Sequence, residues 1–174
     1  MQTYSRTAIT LHWLLALLII ANFALGLTMV DIPGLTPTKL QYFAWHKWLG
    51  ISVLALTAFR FLWRLSQDTP RYPIGIPAWQ EQLAGVVHRL MYLLMFAVPL
   101  SGYLYTTAAG VPVVFLGLLP IPAAFGPDAT LKAIFKTVHY ALNMGLLACV
   151  CLHISAALKH HFIDRDNILR RMLP

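Results

Sequence analysis

The sequence predicts an all-α membrane protein, a four-helix transmembrane bundle with both termini in the cytoplasm. Three observations predict it. Of 174 residues, 59% are hydrophobic and only 11% are charged, whereas about a quarter of a soluble domain is charged. Four apolar runs are each long enough to cross a hydrocarbon core of ~30 Å, which takes ~20 residues at a rise of ~1.5 Å. The basic residues gather at the ends of those runs, so the net charge of +7 points to lipid headgroups rather than to nucleic acid.

The first span runs from Ala8 to Met29. It is too long for the apolar region of a signal peptide and lacks a small-residue cleavage site, so it reads as retained. The second runs from about Gln41 to Trp63, and the third from Leu83 to about Thr107, with a kink expected at Pro99. The fourth begins near Thr130 and continues to about Phe162. A fifth apolar stretch, Gly110 to Gly126, contains Pro112, Pro120 and Pro122. Those prolines argue against a spanning helix, and the stretch reads as a loop at the interface or folded over the bundle mouth. There is no repeat and no low-complexity tract, so residues 1–174 read as one transmembrane domain.

Basic residues set the orientation. One side of the bundle carries Arg6, Arg60, Arg64, Arg71, Arg89, Lys159, Arg165, Arg170 and Arg171, the other Lys39, Lys47, Lys132 and Lys136. The richer side also holds both termini, which places them in the cytoplasm of a bacterial inner membrane. Cys149 and Cys151 lie inside the fourth span at a spacing that does not bring them face to face. They read as small buried apolar residues, not as a disulfide or a metal clip.

The chemistry resides in histidines. All six carboxylates fall in loops or at helix ends, which argues against a di-iron carboxylate centre and against a buried acidic proton relay. His12, His46, His88, His139 and His153 instead fall inside the spans. An imidazole in hydrocarbon is costly unless something satisfies it. His139 and His153 are 14 residues apart, about 40° short of four full turns, so they share a helix face at levels ~21 Å apart. One ligand near each membrane surface suits two stacked haems, each needing a second axial ligand at the same depth. Alternating span directions place His46 at the level of His139, and His12 at the level of His153. His88 competes with His12 for the inner position.

Arg60 and Arg64 follow His46 by 14 and 18 residues on the same stripe. There they would meet a haem propionate or a quinone oxygen, or else snorkel to the interface. Gly50, one turn from His46, would leave room for a porphyrin face or for close helix packing. Trp13 and Trp45 neighbour proposed ligands but also fit an interfacial aromatic belt. His160, flanked by Lys159 and His161 and at a depth similar to His88, forms a cluster suited to binding a quinone headgroup and passing it protons. The same cluster also fits a basic helix end that anchors headgroups. No residue is assigned a catalytic role beyond these.

The residues that carry a family resemblance are Tyr4-Ser5-Arg6 leading to His12-Trp13, and Trp45-His46 followed by Gly50, Arg60 and Arg64. It continues with His88 before the Tyr92 to Gly102 stretch containing Pro99, then His139 and His153. The run from Lys159-His160-His161 to Asp166-Asn167 and Arg170-Arg171-Met172 completes it. Over nearly its whole length the chain resembles the bacterial cytochrome b561 family of small four-helix, two-haem membrane proteins. The resemblance implies two b haems with His12, His46, His139 and His153 as axial ligands of the iron. Related cytochrome subunits of formate dehydrogenases and nickel–iron hydrogenases, which the chain also resembles in layout, deliver electrons to quinone on the cytoplasmic side. Some free-standing members look like superoxide:ubiquinone oxidoreductases.

Two functions follow from that. One is a superoxide:ubiquinone oxidoreductase, an enzyme whose outer face, four lysines against Asp31 and Asp128, would draw in a small anion. The other is a haem-bearing membrane anchor that takes electrons from a dehydrogenase, a hydrogenase or a periplasmic redox protein. A transporter or proton channel with structural histidines would be colourless. A zinc site would need its ligands clustered rather than spread over ~21 Å.

Overall fold

The computed structural model describes residues 3–68, 70 and 75–173; Arg71 lies outside the described residues. Four long helices form the body: α1 (Arg6–Asp31), α2 (Pro37–Leu65), α3 (Ala78–Ala108) and α4 (Ala129–Lys159). All four are long and apolar enough to cross a membrane. α1, α2 and α3 extend beyond the apolar runs that predict them at both ends, whereas α4 starts one residue early and stops at Lys159, short of Phe162, where a π-helical turn takes over. The Ser5, Thr36 and Asp128 side chains accept the Ala8, Lys39 and Leu131 N–H groups, satisfying otherwise orphaned donors at the starts of α1, α2 and α4. Pro99 sits within an unbroken α3.

Packing follows the chain order: α1 against α2, α3 against α4, with α2 bridging to α3. Leu94 and Met95 of α3 and Leu146 and Cys149 of α4 form the buried cluster. Large apolar side chains such as Leu17 (65% exposed) and Leu93 (63%) cover the outside, the inverse of a soluble bundle and the arrangement lipid requires. Cys149 is buried, but Cys151 is exposed, which corrects the expectation that both are interior. Two residues along a helix is ~200° of rotation, so the pair cannot share a face.

The Gly110 to Gly126 stretch is not a featureless loop. It contains an antiparallel hairpin of two short strands, β1 (Val113–Phe115) and β2 (Leu119–Ile121), in register Val113↔Ile121 and Phe115↔Leu119. Its tip places Leu116 and Gly117 at φ 52° and 73°, the left-handed conformation of tight hairpin turns. Lys47 Nζ donates to the Pro112 carbonyl (3.2 Å) and Trp48 Nε1 to that of Val114 (2.8 Å). The hairpin is therefore tied to α2 at the two residues that follow His46. It sits over one mouth of the bundle, opposite the end that carries both termini.

Beyond α4 the chain makes a π-helical turn, His160–Asp164, and a 3₁₀ turn, Leu169–Met172. This tail folds back on the start of the chain: Trp13 Nε1 donates to the Met172 carbonyl at 2.7 Å, and Tyr4 N–H to that of Arg171 at 3.4 Å.

Candidate functional site

Five intramembrane histidines resolve into two groups. At the hairpin end, His46 of α2 faces His139 of α4, ring centroids 6.3 Å apart and planes at 87°. At the terminal end, His12 of α1 faces His153 of α4 at 6.1 Å and 70°. His88 of α3 also packs edge-on against His153, at 5.2 Å. The spacing of His139 and His153 sets the two groups about four turns, ~21 Å, apart along α4.

Those separations can be tested against a haem. A ligating imidazole nitrogen lies about 2.0–2.1 Å from its metal, with the ring centroid roughly 1.1 Å further, so two imidazoles on opposite sides of one iron have centroids about 6.3 Å apart. Both facing pairs fit. The His88–His153 pair, at 5.2 Å, is too close to hold an iron between its rings.

The hairpin-end pair is also oriented. His46 Nδ1 lies 3.2 Å from the Asn22 carbonyl, and His139 Nδ1 lies 3.1 Å from that of Val98. The Ser101 hydroxyl is 3.0 Å from His139 Nδ1 and donates to the Val98 carbonyl. A proton on each Nδ1, held by a carbonyl, leaves each Nε2 with a free lone pair, as in a histidine that binds a metal.

Glycines make room for the same rings. A Cβ on Gly26 of α1 would lie 3.2 Å from His46 Cε1, and one on Gly102 of α3 only 2.9 Å from His139 Cε1. At Gly50 a Cβ would meet nothing closer than Asn22 Nδ2 at 3.8 Å, an ordinary contact. The close approaches thus belong to Gly26 and Gly102, which sequence reasoning passed over. A glycine in an apolar helix signals close packing of some kind but not which ring it packs against.

At the terminal end the partners differ. Among the described residues no hydrogen bond reaches the His12 or His153 ring. Arg60 Nε donates to the Tyr92 hydroxyl at 3.2 Å, and the Arg64 guanidinium lies over the Tyr92 ring, 5.7 Å from its centroid. Neither arginine has a carboxylate partner among the described residues. Arg60 lies within electrostatic range of His12, His88 and His153. His160 is held separately: its Nδ1 is 2.6 Å from Asp166 Oδ2 and 3.2 Å from Asp164 Oδ2. Lys159 pairs with the same Asp164 oxygen at 2.5 Å. The sequence groups His88 with His160, but the ring contact of His88 is with His153. Trp13 and Trp45 remain 43% and 40% exposed, Trp13 pinned by the tail and Trp45 stacked on Tyr42.

The family model for prokaryotic cytochrome b561 matches residues 3–174. Among similar proteins, cytochrome b561 homolog 2 of Escherichia coli K12 is 34% identical, with 99% of this chain and 92% of that protein covered. Cytochrome b561 homolog 1 of the same strain is 31% identical over 100% and 98%. The probable superoxide oxidase CybB of Yersinia pestis is 32% identical over 99% and 97%.

Proposed function

The chain belongs to the prokaryotic cytochrome b561 family, haem b proteins of electron transfer in bacterial membranes, and from that membership we propose that it is a di-haem superoxide:ubiquinone oxidoreductase of the inner membrane. The observation that carries the reading is the two facing histidine pairs, at 6.3 and 6.1 Å. His46 and His139 would hold one haem b and His12 with His153 the other. When bound, each haem supplies a one-electron redox centre, and its potential is tuned by the surrounding protein.

The protein's own groups do the rest. The Asn22 and Val98 carbonyls fix the tautomer and angle of the hairpin-end imidazoles. The hairpin end would face the periplasm, the orientation that the asymmetry of basic residues supports. There Lys132 and Lys136 are exposed, within two turns of His139, and give the mouth a positive field that concentrates a small anion. Lys39 and Lys47 are engaged by the Ile32 and Pro112 carbonyls. Similarity to the probable superoxide oxidase of Yersinia pestis supports superoxide as that anion.

The terminal end would face the cytoplasm. Arg60 and Arg64, without carboxylate partners of their own among the described residues, would meet a propionate or a quinone oxygen there. His88 and His160, close to the aqueous edge, would supply protons to the quinone. Two superoxide anions each give up one electron and leave as dioxygen. The quinone takes up two electrons and two protons and leaves as quinol.

The test is stopped-flow absorbance of the purified, oxidised protein mixed with superoxide, with and without a soluble ubiquinone. Rapid appearance of a reduced b-type spectrum, reversed by the quinone, is the expected result. A spectrum that responds to dithionite and not to superoxide would overturn the donor, and would favour a membrane anchor serving a dehydrogenase or another redox protein.

A further inference from the structure

Where α4 passes through its π-helical turn into the tail, the surface holds a cleft of about 360 Å³ lined by His161, Phe162, Arg165, Asp166, Asn167 and Arg170. That is above the roughly 300 Å³ at which small-molecule sites begin, and far more than one ion needs. Its charge is unbalanced. The acid in the wall is already engaged, because Asp166 Oδ2 takes the His160 ring and Oδ1 accepts the Ile168 N–H at 2.9 Å. Arg165 and Arg170 have no carboxylate partner among the described residues. Arg165 also holds φ at 54°, a left-handed conformation that a glycine adopts freely and that other residues adopt only under strain. A guanidinium thus stands at a position where the backbone favours glycine.

The neighbours identify the ligand's other half. Phe162 and Ile163, 66% and 74% exposed, stand on the same turn at the end of a membrane-spanning helix. Apolar side chains that fit acyl chains thus adjoin guanidinium groups that fit a phosphate, as at the boundary between hydrocarbon and headgroups.

We infer that this cleft is a binding site for the phosphate of an anionic phospholipid, with Arg165 and Arg170 holding the headgroup and Phe162 and Ile163 against its chains. The site is distinct from the two facing histidine pairs, shares its wall residue Asp166 with His160, and does not depend on the electron donor proposed above.

Native mass spectrometry of the haem-loaded protein, released from detergent with added phosphatidylglycerol, tests it. The parent protein should keep phosphatidylglycerol adducts that phosphatidylcholine does not displace. An R165G/R170Q variant should lose them by about tenfold. R165G alone should lose part of the binding without loss of fold, since glycine relieves the turn; an unchanged haem spectrum checks this. Adducts retained in full by the double variant would overturn the site. Equal retention of phosphatidylcholine would overturn the role of charge. Displacement by inorganic phosphate at equal concentration would overturn the lipid as ligand in favour of free phosphate.

Discussion

The two histidine groups are built differently. At the hairpin end each imidazole lies against one neighbouring helix that supplies both a backbone carbonyl to its Nδ1 and, one turn on, a glycine that lets the ring approach: Asn22 and Gly26 of α1 at His46, Val98 and Gly102 of α3 at His139. At the terminal end three imidazoles crowd together, with Arg60 nearby and no hydrogen bond to the His12 or His153 ring among the described residues. On the proposed assignment, the first group is preorganised for one task, holding a redox centre at a fixed angle. The second has one more imidazole than a metal centre uses. The surplus lies where a two-electron, two-proton acceptor would dock. Rigidity belongs where only an electron moves, and spare titratable groups belong where protons must move too.

The comparison can be broken most severely by removing ligands. His139→Ala should reduce the haem content from two per chain to one, measured as the pyridine haemochrome. If both haems survived, the hairpin-end pair would not be a ligand pair. Gly102→Val should come next. Its Cβ would lie 2.9 Å from His139 Cε1, and displacing a ligand's support typically costs 10–100-fold in affinity. The hairpin-end haem should therefore be lost on dilution or detergent washing while the other stays. Gly26→Ala, with its Cβ at 3.2 Å, should have the same effect in weaker form, within the 1–3 kcal/mol usual for overpacking.

The terminal end predicts a different outcome. His88→Phe should leave both haems in place and slow reoxidation by quinone, read in the same stopped-flow experiment. Loss of a haem would instead make His88, not His12, the partner of His153. The smallest effect is expected from Ser101→Ala. It removes one of two groups at His139 Nδ1 while the Val98 carbonyl remains, a change of about 1 kcal/mol or less. It should shift the potential of the hairpin-end haem alone in a redox titration.

Much of this was legible in the sequence, for identifiable reasons. Long apolar runs and helical phase are strong, local signals. They locate the four helices and put His139 and His153 on one face of α4. What the sequence conceals is contact between distant segments. The hairpin's strands have only three residues each, too short for an alternating pattern to stand out from the surrounding prolines. Gly50 attracts attention because it lies one turn from His46 in sequence. Gly26 and Gly102 touch the rings from other helices, α1 and α3. Likewise His160 reads as one of a histidine cluster, because nothing in the sequence shows that a π-helical turn brings Asp164 and Asp166 back to its ring.

The central claim is that two separate histidine pairs each hold a haem, and a redox titration of the purified protein beside its H139A and H153A variants tests it most directly. Two one-electron transitions in the parent, with a different one missing from each variant, is the result predicted here. A single transition in the parent that persists in both variants would contradict it.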